Sequence, residues 1–348
     1  MLVKEKQFEI VKAAPGDSED IRRMFESIRF HTAIDLQFRR GNDPYRSFQE
    51  EDDGAVVLLL KDRLADRTVG MGAASFHRVY LGGEMCRGAY LNGLKLLPEY
   101  HKRLRVLPEA FRRLRQEIQG EADICYAAVL RHNMSVQHLF EKPHRSLPRF
   151  EKQGLYTSFL ISPGRKSGLP LEKGGAAELD AFYARWLPMY DLAPLNRNMA
   201  GLTDEDFIVW REGGRILAAC ALLDDRRNKN YYLCGYSGAF RILPGLPTRL
   251  LGYPAVPKTG QTVDSVSLSM LLFDPAVDTA GRAHFIRSAS SFARGHKVVM
   301  VGLAENNPTY QAFRRLRHVP FSSILYTVDM GGEMKLGARP IYLDVAYM

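Results

Sequence analysis

The amino-acid sequence predicts an α/β (α+β) fold in which one unit is used twice, each copy a mixed sheet flanked by helices. Internal similarity is the first observation behind this expectation. Leu94 to Pro98 (LKLLP), followed by His101, Leu104 and Val106, matches Leu271 to Pro275 (LLFDP), followed by Asp278, Gly281 and Ala283, at a constant offset of 177. Val129 to Asn133 matches Leu303 to Asn307 at offset 174, and Leu155-Tyr156-Thr157 recurs as Leu325-Tyr326-Thr327 at offset 170. Order kept while spacing shrinks is what a duplication with trimmed loops leaves, because loops tolerate length change better than packed elements do. The second observation is length, since 348 residues exceed the usual single core of about 100 to 200 residues. The third is the alternation of short β-rich runs with helix-periodic ones.

In the first half these patterns give a strand at 8–12, a helix at 18–30, a second short helical stretch, and strands near 55–61, 68–80 and 89–97. A helix at 107–118 follows, then a strand at 124–129, a helix opened by Asn133 or Ser135 and ending near Lys142, and a strand at 155–161. The run SPGRKSGLPLEKGG is polar and rich in glycine and proline, which makes it the expected linker. The boundaries are therefore 1–162, a linker at 163–175, and 176–348. The second half repeats the order: a helix before Pro188, strands around 207–210, 216–222, 231–236 and 263–273, a helix at 279–294, a strand at 298–303, another helix and a strand at 324–329. Several prolines and glycines between Arg241 and Gln261 mark an irregular insertion.

Composition excludes several classes. With 46% hydrophobic and 25% charged residues, both signs interspersed, the chain is globular and neither disordered nor fibrous. Its early apolar run Ala55 to Leu60 is far too short to span a bilayer, so no membrane partner is expected. MLVKEKQFEI has no signal-peptide core, and a cytoplasmic location follows as the expectation. Cys86, Cys125, Cys220 and Cys234 are scattered, without the close spacing of a metal or disulfide site, and buried thiols are expected. No Walker loop and no paired histidines at metal spacing occur.

A net charge of +9 points to anionic partners. Lys102, Arg103 and Arg105 crowd the turn after the strand that ends near Leu97, just before a helix start, where backbone N–H groups also point at an anion. Arg112, Arg113 and Arg115 on the helix itself read as a solvated face.

With these residues in view, both halves resemble the GNAT superfamily of acyl-CoA-dependent N-acyltransferases, and the whole chain resembles its tandem two-domain members. In that family a strand leads into a loop of pattern Gln/Arg-x-x-Gly-x-Gly/Ala whose N–H groups hold the coenzyme A diphosphate. Here the loop reads His101-Lys102-Arg103-Leu104-Arg105-Val106, after the lead-in Pro98-Glu99-Tyr100. Leu104 and Val106 stand at the two small positions, while the second copy has Gly281 and Ala283 there but Asp278 in place of Gln or Arg. The resemblance implies two domains, each a mixed, mostly antiparallel sheet, with acetyl-CoA or another acyl-CoA as co-substrate bound by the first. The second would be degenerate and serve as scaffold and substrate wall. It also implies a backbone N–H near Leu96 facing the thioester carbonyl, with Leu96, Leu97, the loop from His101 to Val106, and Asn133 around the cofactor.

Amine acylation needs a neutral amine, donors for the tetrahedral oxyanion, and a proton for the departing thiolate. In many relatives a tyrosine seven residues after the helix-opening asparagine gives that proton, but here Phe140 takes the place. Donation then falls to Tyr90, Tyr126, Tyr156 or water. Strand alternation puts Tyr90 and Asn92 on one face, the acceptor side. Glu84 sits in a hairpin-like turn, LGGEM, and reads as solvated, while His77 and His31 are further candidate bases. In some tandem acyltransferases the chain's own terminal carboxylate reaches the active site, and the strand-like tail from Ile341 to Tyr347 would permit the same here.

Two other motifs are weaker. Gly235-Tyr236-Ser237-Gly238-Ala239 nearly matches a nucleophile elbow but lacks the following helix, and Gly70-Met71-Gly72-Ala73-Ala74-Ser75 reads as closely packed strand. The expected function is transfer of an acyl group, acetyl in the first instance, to a primary amine on a small molecule or peptide. The alternatives are a non-catalytic acyl-CoA-binding or interaction protein and an aminoacyl-tRNA-dependent transferase. Nucleic acid is the lesser expectation, with tRNA kept open by the basic charge.

Overall fold

The computed structural model describes residues 7–27, 34–101, 106–142, 144–164, 168–195, 197, 201–331 and 334–348. The first half runs β1 (Phe8–Lys12), α1 (Ser18–Ser27), β2 (Ile34–Arg40), α2 (Pro44–Gln49), β3 (Ala55–Asp62), β4 (Arg67–Leu81), β5 (Glu84–Leu96), α3 (Leu107–Ile118), β6 (Ile124–Leu130), α4 (Met134–Glu141) and β7 (Phe150–Ile161). The second runs β8 (Leu171–Lys173), α5 (Ala176–Trp186), β9 (Ala193–Pro194), β10 (Phe207–Glu212), β11 (Arg215–Leu223), β12 (Lys229–Tyr236), β13 (Ser265–Phe273), α6 (Thr279–Ala289), β14 (Val298–Ala304) and β15 (His318–Val328).

Local chemistry accounts for these elements. Helix α3 buries Leu107, Phe111, Leu114 and Ile118, one stripe at helical spacing, and leaves its arginines on the outer side. On β3 and β4 the pleat sends Val57, Leu59, Met71 and Ala73 toward α1 and α2, and Val56, Leu58, Ala74 and Phe76 toward α3. Each large apolar side chain so buried contributes about 1.5–3 kcal/mol. Gly82 and Gly83, at φ +63° and +92°, form the two-residue turn that reverses β4 into β5, and Glu84 stays exposed beside it.

One sheet of 13 strands unites both halves in the order β1-β3-β4-β5-β6-β15-β7-β14-β13-β11-β10-β8, with β9 against β4. Among the strands of the described residues only β5 with β6 and β13 with β14 pair in parallel, the equivalent pair in each copy. At the centre the halves exchange their last strands. β15 lies between β6 and β7, pairing Thr327 with Tyr126 and Val328 with Phe150, while β7 pairs with β14, Ala304 opposite Tyr156. A separate ribbon joins β2 of the first half to β12 of the second, with Phe38 opposite Tyr231.

The mixed, mostly antiparallel sheet flanked by helices agrees with expectation. Three strands, β2, β8 and β9, were not anticipated; β8 lies inside the segment read as a linker and pairs with β10. The helix expected after β14 is a 3-10 turn at Tyr310–Arg315. The tail read as strand-like is a single bridge from Ile341 to Asp191 followed by a 3-10 turn at Val345–Tyr347, because the Ile341 backbone bonds to the Asn306 and Asn307 side chains in the turn after β14 and the Tyr342 N–H to the Asp191 carbonyl, not to a neighbouring strand ladder. No helix among the described residues is long and apolar enough to cross a membrane.

Candidate active site

Strands β5 and β6 pair from Gly88 opposite Ile124 to Leu91 opposite Ala127 and then part, which opens a fork between Asn92–Leu96 and Ala128–Leu130. At the mouth of the fork the β4–β5 register slips between Met71 and Ala73, and Gly93 takes φ +63°. This is a β-bulge, and bulges re-aim backbone groups beside active sites. The second half repeats it. β13 and β14 pair from Ser265 to Ser267 and then diverge, the β11–β13 register slips between Ala219 and Ala221, and Met270 takes φ +52°. A non-glycine residue in that conformation is strained unless its surroundings hold it.

Holding Met270 is the tail. Its N–H donates to Asp344 Oδ2 at 2.7 Å, and the same buried carboxylate accepts from Tyr342 Oη at 3.2 Å, Ser269 Oγ at 2.5 Å and the Ala346 N–H at 2.9 Å. Asn307 Nδ2 donates to the Ile341 carbonyl and Asn306 Oδ1 accepts from the Ile341 N–H, so the tail is bound on both sides of the second fork. The loop at the start of α6 is likewise committed, since Asp278 caps the helix by accepting from the Gly281 N–H at 2.7 Å.

Around the first fork, Tyr90 and Tyr126 are register partners with stacked rings 5.4 Å apart. Tyr126 and Tyr156 are buried and their hydroxyls have no hydrogen-bond partner, although each is a group that burial ordinarily forces to find one. Burial holds both phenols well above their ordinary pKa, so they remain protonated. Asn92 Nδ2 donates to Ser75 Oγ at 2.9 Å and to the Tyr90 carbonyl at 3.1 Å. Ser75 in turn donates to Glu51 Oε2 at 3.0 Å, and Glu51 Oε1 pairs with Arg40 Nη1 at 2.8 Å and Lys229 Nζ at 2.5 Å. Burial would raise the Glu51 carboxyl, but Lys229 and Arg40 outweigh it and hold it at about 2. Lys229 belongs to β12, so the second half supplies a charge to the first.

His77 is buried with both ring nitrogens unpartnered, its ring stacked 3.8 Å from that of Tyr347. Its Nδ1 lies 3.7 Å from Asp52 Oδ2, beyond hydrogen-bond range, and burial lowers its pKa, leaving it neutral. Tyr347 Oη donates to Asp52 Oδ2 at 3.1 Å, which ties the tail to the first half.

The structure thus brings Tyr90, Asn92, Tyr126 and Tyr156 together and adds residues that the sequence reading missed. Glu51, Asp52 and Asp53 have carboxylates that diverge to Lys229, Tyr347 and Arg87; four consecutive acids, Glu50 to Asp53, before a buried strand were the available signal. Lys95, two residues beyond the bulge, is pulled down to about 8 by burial. Phe140 stacks on Phe150 at 3.8 Å and belongs to the core.

Of the cofactor candidates, Leu97 donates its N–H to Val69 O, and His101 Nε2 bonds the Leu96 carbonyl at 2.9 Å, closing the turn after β5. Tyr100 Oη anchors that turn on Asp62 at 2.9 Å. Val106 precedes α3, and Asn133 caps α4 by accepting from the Val136 N–H at 3.4 Å. Lys102, Arg103, Leu104 and Arg105 lie outside the described residues, as does His31. Among the described residues no group of three metal-ligating side chains occurs.

A forked parallel pair with a bulge beside it is present twice in one sheet, and the fold that carries it is shared with solved N-acyltransferases. Solved structures agree. The chain is similar to Saccharomyces cerevisiae N-myristoyltransferase with bound myristoyl-CoA, at TM-score 0.59 and 10% identity over 94% of this chain and 80% of that one. It is also similar to a GCN5-related glucosamine N-acetyltransferase region of a fungal β-N-acetylglucosaminidase, at TM-score 0.62 and 14% identity over 92% of this chain and 38% of that one. A Pyrococcus horikoshii protein assigned to the acetyltransferases matches at TM-score 0.51 and 13% identity, over 98% of this chain and 96% of that one. No protein-family profile matches the sequence, and no curated protein matches it.

Proposed function

We propose that the protein is an acyl-CoA-dependent N-acyltransferase that loads its thioester in the first fork and acylates a primary amine by direct transfer. The observation that carries this reading is the pair of bulges. Met270 N–H holds a carboxylate oxygen in the second fork, and the matched N–H in the first is that of Gly93. In this reading the carbonyl donor is Gly93 in place of Leu96, since a bulge re-aims backbone groups.

In this mechanism the thioester carbonyl accepts from Gly93 N–H, and Lys102, Arg103 and Arg105 attract the diphosphate. The amine arrives over Tyr90 and Asn92 and attacks the carbonyl carbon, and the oxyanion that forms stays on the Gly93 N–H. When the C–S bond breaks, Tyr126 gives its hydroxyl proton to the thiolate and recovers one from the attacking nitrogen, a shuttle that needs no net charge on the phenol. Glu51 is not the base, because Arg40 and Lys229 occupy it and hold its pKa at about 2, too low for it to take a proton from an amine. It fixes Ser75, which fixes Asn92. The second fork, closed by Asp344, takes no cofactor and supplies Lys229 and the tail.

Acetyl is the proposed acyl group, since Tyr90, Tyr126 and Tyr156 are buried in one apolar cluster at the β5–β6 pair, which favours a short chain over a long one. A small-molecule or peptide amine is the proposed acceptor, a choice that the similarity to a glucosamine N-acetyltransferase region supports on the small-molecule side. The test is calorimetric titration with acetyl-CoA and longer acyl-CoAs, followed by coenzyme A release with a panel of amines. Binding at one equivalent with turnover is expected. Binding without turnover on any amine would convert the reading to that of an acyl-CoA sensor, and no binding would end it.

A further inference from the structure

Beyond the forks, the irregular segment after β12 exposes a cluster of large apolar side chains. Eleven large apolar side chains are exposed among the described residues, and five of them, Ile242, Leu246, Leu250, Leu251 and Tyr253, fall within twelve consecutive positions. Leu250 is 84% exposed and Ile242 69%, values that leave most of each side chain in solvent. Scattered exposed leucines are ordinary, but a contiguous set marks an interaction surface.

This segment is built and not merely loose. It forms 3-10 turns at Gly238–Gly245 and Thr248–Leu251, closed by Gly252 at φ +79°, and Thr248 Oγ1 and Tyr236 Oη donate to the Pro254 and Pro257 carbonyls. Two guanidinium groups lash it to the second half: Arg249 Nη2 donates to the His296 carbonyl at 2.8 Å, and Arg317 Nη1 donates to the Leu251 carbonyl. Nearby, Arg294 Nε donates to the Gly164 carbonyl. All three arginines are exposed, their partners are neutral carbonyls, and no carboxylate among the described residues forms an ion pair with them. Their positive charge is therefore uncompensated around the apolar tips.

We propose that this face seats the protein on an anionic lipid surface, the exposed Ile and Leu entering the acyl boundary while the arginines meet lipid phosphates. Nucleic acid would satisfy the cations, but it gives the aliphatic tips no partner, since only Tyr253 in the patch could stack on a base. An acyl boundary beside phosphates satisfies both kinds of group at once. Such binding is peripheral and needs no spanning segment, which is why hydropathy gave no hint of it. It stands apart from the acyl-transfer reading, and either can fail without the other.

The test is co-sedimentation of the full chain with phosphatidylcholine vesicles, with and without phosphatidylglycerol. We expect binding only to the anionic vesicles, lost at high salt, and weakened about tenfold or more in the variant Leu250→Ser with Leu251→Ser. Both side chains are exposed, so the variant should keep its thermal midpoint, and circular dichroism checks this. Absence of binding to anionic vesicles, or undiminished binding by the variant, overturns the proposal. So does a wild-type dimer by light scattering that becomes a monomer in the variant without any vesicle binding, because the patch would then be a protein interface.

Discussion

Gly93 and Met270 stand 177 positions apart and occupy the same bulge in two copies of one fork, at φ +63° and +52°. The offset equals that between LKLLP and LLFDP, so the sequence match and the backbone geometry report the same duplication. In one copy the residue is glycine and the conformation costs little; in the other a methionine is kept there by the bond to Asp344.

That bond should be measurable. Asp344→Ala leaves Met270 N–H and Ser269 Oγ without their acceptor in a buried setting, and a loss of about 2–4 kcal/mol is expected in chemical denaturation. Hydrogen exchange should quicken at the Met270 amide and remain slow at Gly88 to Leu91, where β5 pairs with β6. An unchanged Met270 amide would show that the tail does not close the second fork.

Tyr126→Phe separates chemistry from folding. Because the Tyr126 hydroxyl is buried without a partner, its removal should leave stability unchanged or raise it. If Tyr126 shuttles the proton, kcat should fall about 100-fold with acyl-CoA affinity unaltered. A variant with wild-type kcat would leave Tyr156 or water as the donor.

Acid stability follows from Glu51. Its folded value of about 2 lies below the ordinary 4.5, so the stabilisation is complete above the ordinary value and lost as pH falls toward about 2. The shift corresponds to about 3 kcal/mol at neutral pH. Glu51→Gln should flatten the acid limb of the stability profile and, by leaving Arg40 and Lys229 unpaired, lower stability near pH 7 by about 3 kcal/mol. A parallel profile in wild type and variant would contradict the assignment.

Replacing Lys102, Arg103 and Arg105 together by alanine should weaken acyl-CoA binding by about tenfold or more and reduce its salt dependence, with the fold intact. Equal affinity in a titration would place the diphosphate elsewhere.

Gly302→Ala tests the packing between the halves. A Cβ there would overlap the Tyr156 hydroxyl and press on Val345, so a loss of several kcal/mol is expected, with only partial recovery on adding Tyr156→Phe because the ring itself stays close. A thermal melt at the wild-type midpoint would refute the close approach.

Much of this was legible in one dimension. The strand and helix runs 8–12, 55–61, 107–118, 124–129 and 207–210 follow from apolar periodicity, which is a property of neighbours along the chain. The hairpin at Gly82-Gly83 and the cap at Asn133 follow from turn and cap chemistry, equally local. The stretch Ile34–Arg40 escaped notice because a mixed polar strand that pairs only with β12 carries no alternation strong enough to read.

Residue order also carried the internal repeat, because it is written in matched spacing. Long-range packing alone brought Asp344 to the bulge of the second fork. The exchange of β7 and β15, the arrival of Lys229 beside Glu51 and of Asp344 beneath Met270 join residues 74 to 178 positions apart. Such pairings are chosen by register and burial across the assembled sheet, where a one-residue slip would turn every side chain to the wrong face, and no local propensity encodes that choice.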